Sequence, residues 1–446
     1  MSSITLNELA LWSTVIAGVV SVLGFIFSQE FRRFVLWLLS NKWFYALATT
    51  LTIFLTGALI GGYLNIKIPS LAAERSWPPQ EGILENVRNR GYLRCGVEGT
   101  LDHFSLFSND SELLMDTETQ INYHTKATGF DADFCRVIAV AVFGDDRNER
   151  IRFIKSDDRF RYIQDGTVDV LVRNTTWTVG RDLLHGVRFG PTIFYDEQGL
   201  LTKHLDINAI SDLNGISICV TQGTTTESNL NVALNRENVN AVIVGQTRDG
   251  VAIMQNDQLF TAFSKNNMCD VITADKSQLT ILQSSLLEDT QVLDATLSKE
   301  PLAPAYIDGD EAWSNVVDYS IFSTVRAAEI GINRKNLDDY LGTQDQEIRQ
   351  LLGLPDKDIE DDQYLGFKLG IDPKFVQNVI KHVGNYDEIY DNNLSTVIPQ
   401  RGPNAIAHSE YLTKTTGGLM YAPPFTFPSE NELLLSNAGS TTESSP

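Results

Sequence analysis

Three short apolar runs, each stopping abruptly at a cluster of polar residues, limit the folds open to this chain. VDVLV at 168–172 reads as a buried strand, and Asn174, Thr175, Thr176, Trp177 and Thr178 then lead to Arg181. ISICVT at 216–221 is followed by QGTTTESNL at 222–230, and CDVITAD at 269–275 ends in a carboxylate. Runs this short and this apolar suit strands covered on both faces. The segment 129–143, between the strand-like stretches 92–97 and 152–155, carries Phe134, Val137, Ile138 and Val142 at helical spacing. A strand–helix–strand rhythm predicts an α/β fold with a mostly parallel sheet. Ligands of open α/β sheets bind beyond the carboxyl ends of the strands, where these polar clusters fall.

The chemistry of those ends is consistent. The fork of Arg181 matches a carboxylate bidentately, and Thr hydroxyls and backbone amides can complete the shell. Gly223 permits a tight turn, and one of Thr224, Thr225 or Thr226 can cap a helix whose first turn carries Glu227. Asp275 at a strand end can hold an ammonium group. In the loop 98–107, Leu101, Asp102, His103 and Phe104 are candidate pocket residues. Each signal has an ordinary alternative: a surface Arg beside Asp182, a capped helix, an Asp cap, a loop aromatic filling a local core. Together they describe a site for a zwitterion.

Composition narrows the class. The chain has 446 residues, 43% hydrophobic and 21% charged, with a net charge of −22. That charge argues against a nucleic-acid partner. Residues 1–80 carry +2 and the remainder −24, which suggests two compartments. The segment 10–28 is uncharged and apolar over 19 residues, and 43–64 over 22. Each is long enough to span a bilayer, and the intervening stretch with Arg32, Arg33 and Lys42 is basic. Positive loops stay cytoplasmic. The expectation is a helical hairpin over 1–66 anchoring the chain in the plasma membrane, with residues from 71 onward outside. The rival is a signal sequence cut near 71–73. The Pro-bearing stretch 67–81 reads as a linker, 109–128 as a polar insertion, 236–268 as a long excursion with an edge loop at 248–265, and 426–446 as a disordered tail. Cys95, Cys135, Cys219 and Cys269 show no C-x-x-C, and no metal or cofactor site is expected. Four cysteines allow three pairings, and bridges imply an oxidising compartment.

The chain resembles the periplasmic general L-amino-acid-binding proteins of ABC importers from about residue 82 to 425. The resemblance rests on GYLRCGV at 91–97, GFDADFC at 129–135, RNTTWT at 173–178, QGTTTE at 222–227, KEPLAPA at 299–305, GNYDEIY at 384–390 and YAPPF at 421–425. It implies a two-lobed type II periplasmic-binding-protein-like fold. Lobe one would comprise 82–196 plus 300–425, and lobe two 197–299. It supports one bridge per lobe, Cys95–Cys135 and Cys219–Cys269. It also implies that Arg181 grips an α-carboxylate with Thr176 and the amide of Thr178. Thr224 and Thr225 would contact that carboxylate from lobe two. Asp275 would pair with the α-ammonium, and Asn174 would offer a carbonyl. The implied partners are L-amino acids and ABC permease subunits, with the lipid bilayer added by the hairpin. An alternative is a sensing or structural subunit of a membrane assembly. An enzyme finds little support, since no G-x-S-x-G, P-loop or H-E-x-x-H occurs.

Overall fold

The computed structural model describes residues 77–79, 81–244, 256–286, 289–355, 364–407 and 418–426. Both apolar runs, most of the linker and all but the first residue of the tail lie outside them. Among the described residues no helix is long and apolar enough to cross a membrane.

Two sheets carry the architecture. The first has seven strands in the order Leu113–Met115, Asn122–His124, Ile151–Lys155, Leu93–Val97, Val170–Leu171, Ala305–Ile307 and Val187–Phe189. Its three central strands are parallel, with Leu93 opposite Ile151 and Cys95 opposite Val170. Every residue of Leu93–Val97 is buried, including Arg94. The outer pairings are antiparallel, so the parallel expectation holds for the centre alone. Helices Phe130–Phe143, Glu311–Ile330 and Phe375–His382 pack their apolar residues into this core.

The insertion at 109–128 adds an antiparallel hairpin to the sheet edge. The Asp116 carboxylate, fully buried, pins it. It accepts from Arg94 Nε at 3.1 Å and Nη2 at 2.9 Å, and from the amides of Glu118 and Thr119 at 3.0 Å each. A buried guanidinium is tolerated only when its charge and donors are matched in this way.

The second sheet has the order Val242–Val244, Ser217–Cys219, Val271–Asp275, Phe194–Thr202 and Gln291–Val292, with Ser298–Leu302 also paired to Phe194–Thr202. Successive side chains in a strand point to opposite faces. Leu200 and Val271 accordingly enter one apolar cluster, and Leu201 and Ile272 enter another. The second cluster is closed by the helix Asn256–Ser264, in the stretch where the sequence suggested an edge loop. Leu259, Ala262 and Phe263 sit at i, i+3 and i+4 and are buried, a helical stripe too short to stand out among polar neighbours.

The long strand Phe194–Thr202 and the return strand Ser298–Leu302 run antiparallel, from Phe194 opposite Leu302 to Gln198 opposite Ser298. Phe194 belongs to the first core, and Leu200 and Leu201 to the clusters of the second sheet. This two-stranded ribbon therefore joins the two halves.

Disulfides Cys95–Cys135 and Cys219–Cys269 each cross-link one half, with Cα–Cα distances of 6.0 and 5.7 Å. The first ties the central strand to helix Phe130–Phe143. For sequence separations of 40 and 50 residues, the chain-entropy model gives each bond about 4 kcal/mol. Replacing Cys219 and Cys269 together by Ser should lower the unfolding free energy by roughly 3–4 kcal/mol in urea titration. A loss below about 1 kcal/mol would show that packing around the bond, and not the crosslink, holds this half together.

Candidate functional site

A cleft with an empty volume of about 480 Å³ opens where the strand ends of the two sheets approach the ribbon. From the first half Glu98, Arg159, Arg173, Asn174, Thr176 and Arg181 line it; from the second, Thr221, Thr224–Thr226, Thr273, Ala274, Asp275 and Gln278 do. Six residues singled out from the sequence are thus brought together: Asn174, Thr176, Arg181, Thr224, Thr225 and Asp275.

Their placement is set by local chemistry. Asn174 has φ 44°, a left-handed backbone that Asn tolerates. Its amide donates to buried Asp131 at 3.0 Å, which fixes the loop to the start of helix Phe130–Phe143. Thr176 donates its hydroxyl to Glu300, and its carbonyl accepts from Arg181 Nη1 at 2.8 Å. The guanidinium of Arg181 also lies 5.7 Å from the centre of the Phe160 ring. Thr224 caps the helix Thr225–Arg236 by accepting from the amide of Glu227 at 3.3 Å.

Three other residues lie elsewhere. Thr178 is the N-cap of the short helix Val179–Leu184, accepting from the amide of Arg181 at 3.2 Å; it orients the Arg181 backbone and does not line the cleft. Asp102 is exposed, and its carboxylate accepts from the neighbouring amide of His103 at 2.9 Å. Phe104 is fully buried, edge-on to Phe130 at 6.1 Å and to Phe194 at 5.5 Å. The physical reason is a close backbone crossing. A Cβ at Gly129 would lie 2.4 Å from the Phe104 carbonyl, so only glycine lets the loop approach that closely, and the ring turns into the core.

Glu98, Arg159 and Arg173 are the charged lining residues that sequence reasoning passed over. Glu98 is the first residue beyond strand Leu93–Val97, and the strand-end rule itself pointed to it. It is buried and accepts from the amide and hydroxyl of Thr100 at 2.6 Å each. Arg173 opens the motif that supplied Asn174 and Thr176. It is 3% exposed, with Nη2 4.0 Å from Glu98 and a buried Nε that makes no hydrogen bond. Arg159 and Gln278 carried no signal in the sequence, because each sits on a helix that only tertiary folding brings here.

The charges divide into two poles. Arg159, Arg173 and Arg181 form the cationic one. Burial lowers the pKa of each, and for Arg159 the neighbouring Arg173 and Arg181 add to it. Asp275, Asp196 and Glu300 form the acidic one. Burial, then Asp196 and Glu300, push Asp275 well above the usual carboxylate range. Burial raises Asp196 to about 6. Between the poles, Gln278 Nε2 donates to Asn174 Oδ1 and to Asp275 Oδ2, at 3.1 Å each, linking the two halves across the cleft. Among the described residues no group of three or more His, Cys, Asp or Glu could hold a metal.

No protein-family model matches the chain. It is 34% identical over 344 residues to the general L-amino acid-binding periplasmic protein AapJ of Rhizobium johnstonii, spanning 76% of this chain and 92% of that protein. It is 35% identical over 363 residues to the glutamate/glutamine/aspartate/asparagine-binding protein BztA of Rhodobacter capsulatus, spanning 80% and 97%. Among solved structures, an ABC transporter periplasmic binding protein from Brucella ovis with glutathione bound is similar at TM-score 0.65 and 32% identity, over 77% of this chain and 99% of that one. Two halves joined by a ribbon around a polar cleft, with relatives above 30% identity matched over nine-tenths of their length, place this chain in the family of periplasmic amino-acid-binding proteins of ABC transporters.

Proposed function

We propose that the cleft captures the zwitterionic head of an L-amino acid and that the loaded protein delivers it to an ABC permease, acting as a binding protein and not as a catalyst. The observation that carries this is the division of the lining into a guanidinium pole at Arg181 and a buried acidic pole at Asp275. An α-carboxylate fits the first. An α-ammonium fits the second, where crowded acids need a cation to ionise. The Thr224 and Thr225 hydroxyls face the carboxylate from the other half. The ribbon residues near 196–200 and 298–302 act as the hinge, and the Gln278 bridge is a contact of the closed form. The similar Brucella ovis protein holds glutathione, so glutathione belongs in the test panel.

Isothermal titration with L-amino acids and glutathione should give a ligand of micromolar or tighter affinity, and Arg181→Ala should weaken it by about 100-fold or more. No heat with any of them, from folded protein, would sink the proposal.

Affinity should also depend on pH in a defined direction. In the empty cleft Asp275 has a raised pKa, and a bound ammonium lowers it. Binding therefore releases a proton at acid pH. Affinity is full above the free-state pKa and falls as pH drops through it, by up to about tenfold per unit. The ligand-free fold has the opposite dependence. Asp131, raised to about 7 by burial, and Asp196, raised to about 6, bind more protons in the native than in the unfolded state. Free protein should therefore lose stability as pH rises from about 4 to about 7, and thermal scans with and without ligand separate the two trends.

The apolar runs 10–28 and 43–64 support a further element of this reading, a hairpin that holds the protein at the plasma membrane with its lobes in the periplasm or outside the cell. The full chain should then pellet with membranes through an alkaline carbonate wash, and a chain lacking residues 1–66 should not. Recovery of the full-length gene product as soluble protein beginning near residue 74 would favour a cleaved signal instead.

A further inference from the structure

Polar groups are not the only link between the two halves. Two helices of the second half are seated there by apolar residues at helical spacing. Leu259, Ala262 and Phe263 of the helix Asn256–Ser264 enter the same apolar cluster as Leu279 and Leu282 of the helix Lys276–Ser285. Lys203 Nζ donates to the carbonyl of Phe263 at 2.6 Å and fixes the end of the first helix to this half. Each helix also sends a side chain to the first half. Ile281 is buried in the core of the first half. Phe260 is partly buried and packs against both cores. Its helix comes within 8 Å, Cα to Cα, of the strand Thr100–Leu101, where Leu101 is a buried member of the first core. Gln278 and Ile281 are three residues apart and share a face of their helix. That face meets the first half twice, with Gln278 at Asn174 and Ile281 in the core. Neither Phe260 nor Ile281 lines the cleft.

We propose that Phe260 and Ile281 form an apolar latch, a pair of positioning residues that hold the two halves together over the ligand without touching it. The inference rests on the amino-acid-binding reading above and adds to it a determinant of affinity. Opening about the ribbon returns both side chains to water, and burial of apolar surface is favourable roughly in proportion to its area. The latch carries no charge and lies outside the cleft. It therefore multiplies the affinity of every ligand by the same factor, whereas Arg181 and Asp275 respond to the groups a ligand carries. It also acts when the cleft is empty. The free-energy gap between open and closed forms of the free protein enters every apparent affinity, and the latch narrows that gap.

The test compares the wild-type protein with Phe260→Ser and Ile281→Ser by two readouts. Solution X-ray scattering of the free proteins should give a larger radius of gyration for each variant than for the wild type, and equal radii once ligand saturates them. Calorimetric titration with L-glutamate, L-glutamine, L-leucine and glutathione should show every ligand that the wild type binds weakened by one common factor of about tenfold or more, through faster release. Leu282→Ala is the control, because Leu282 belongs to the second-half cluster alone. It should lower thermal stability and leave both readouts at the wild-type values. Should the serine variants fail to fold, Phe260→Leu and Ile281→Ala decide by the same readouts. Unchanged radius and affinity in folded variants overturn the proposal. A loss confined to one ligand also overturns it, since that outcome puts the two residues in ligand recognition. Should none of the four bind, the amino-acid-binding reading falls, and the scattering of the free proteins still decides the latch.

Discussion

The antiparallel ribbon Phe194–Thr202 with Ser298–Leu302 is the constraint on which the rest of the molecule depends. It joins two separately packed cores, and its register decides which polar groups face the cleft. Asp196 lies opposite Glu300 on the ribbon, and Gln198 lies opposite Asp275 on the next strand. Asp196 and Asp275 are thereby held close to each other and to Glu300 in a poorly hydrated place, and both aspartates have raised pKa values. Local donors offset part of this. Glu300 takes Thr176, Asn229 and Ser298, Gln198 Nε2 reaches Thr273 at 3.0 Å, and Asp196 accepts from the amides of Glu197 and Ser277 at 2.8 and 3.3 Å. What remains is an unmet demand for a cation, placed opposite an unmet demand for an anion.

The alternation that builds the ribbon was legible in the sequence only in its consequences. Short apolar runs ending in polar clusters marked the strands, and the chemistry of Arg181, Thr224 and Asp275 marked their ends. These are local signals: period, turn residues and side-chain type. They recover residues that a strand end delivers directly. Arg159 and Gln278 reach the cleft from helices, so their roles depend on how those helices pack, which no local pattern encodes. Phe104 illustrates the converse. Its position after a strand was the right one for a pocket residue, but the close crossing at Gly129 and the rings of Phe130 and Phe194 turn it inward. A loop position alone does not distinguish a ring that meets ligand from one that meets core.

The expected insertion at 109–128 shows a different limit. Its polar, turn-rich composition read as an insertion, with no strands assigned to it. Pairing with the sheet edge makes it a hairpin, since the buried Asp116–Arg94 pair anchors it from beneath. Both residues are buried because Arg94 sits in a strand covered on both faces, where a guanidinium must find its carboxylate or unfold the strand. The same rule applied in the cleft gives a different outcome. Arg94 is matched by direct ion pairs, whereas Arg159 has the opposite charges of Asp275 and Glu98 acting on it without a direct ion pair.

That contrast separates charges that hold the fold from charges that await a ligand. The disulfides brace each half internally, and the Arg94 network braces the first. The Gln278 bridge from Asn174 to Asp275 then joins the halves through neutral amides, which lose little when they are exchanged for water. Ile281 and Phe260 of the second half also pack on the first core, and on the proposed reading the opposed poles favour closure further once a molecule carrying both signs lies between them. On that reading the ligand supplies the missing electrostatic term, and the closed state is populated in proportion to how fully its charges match those at Arg181 and Asp275.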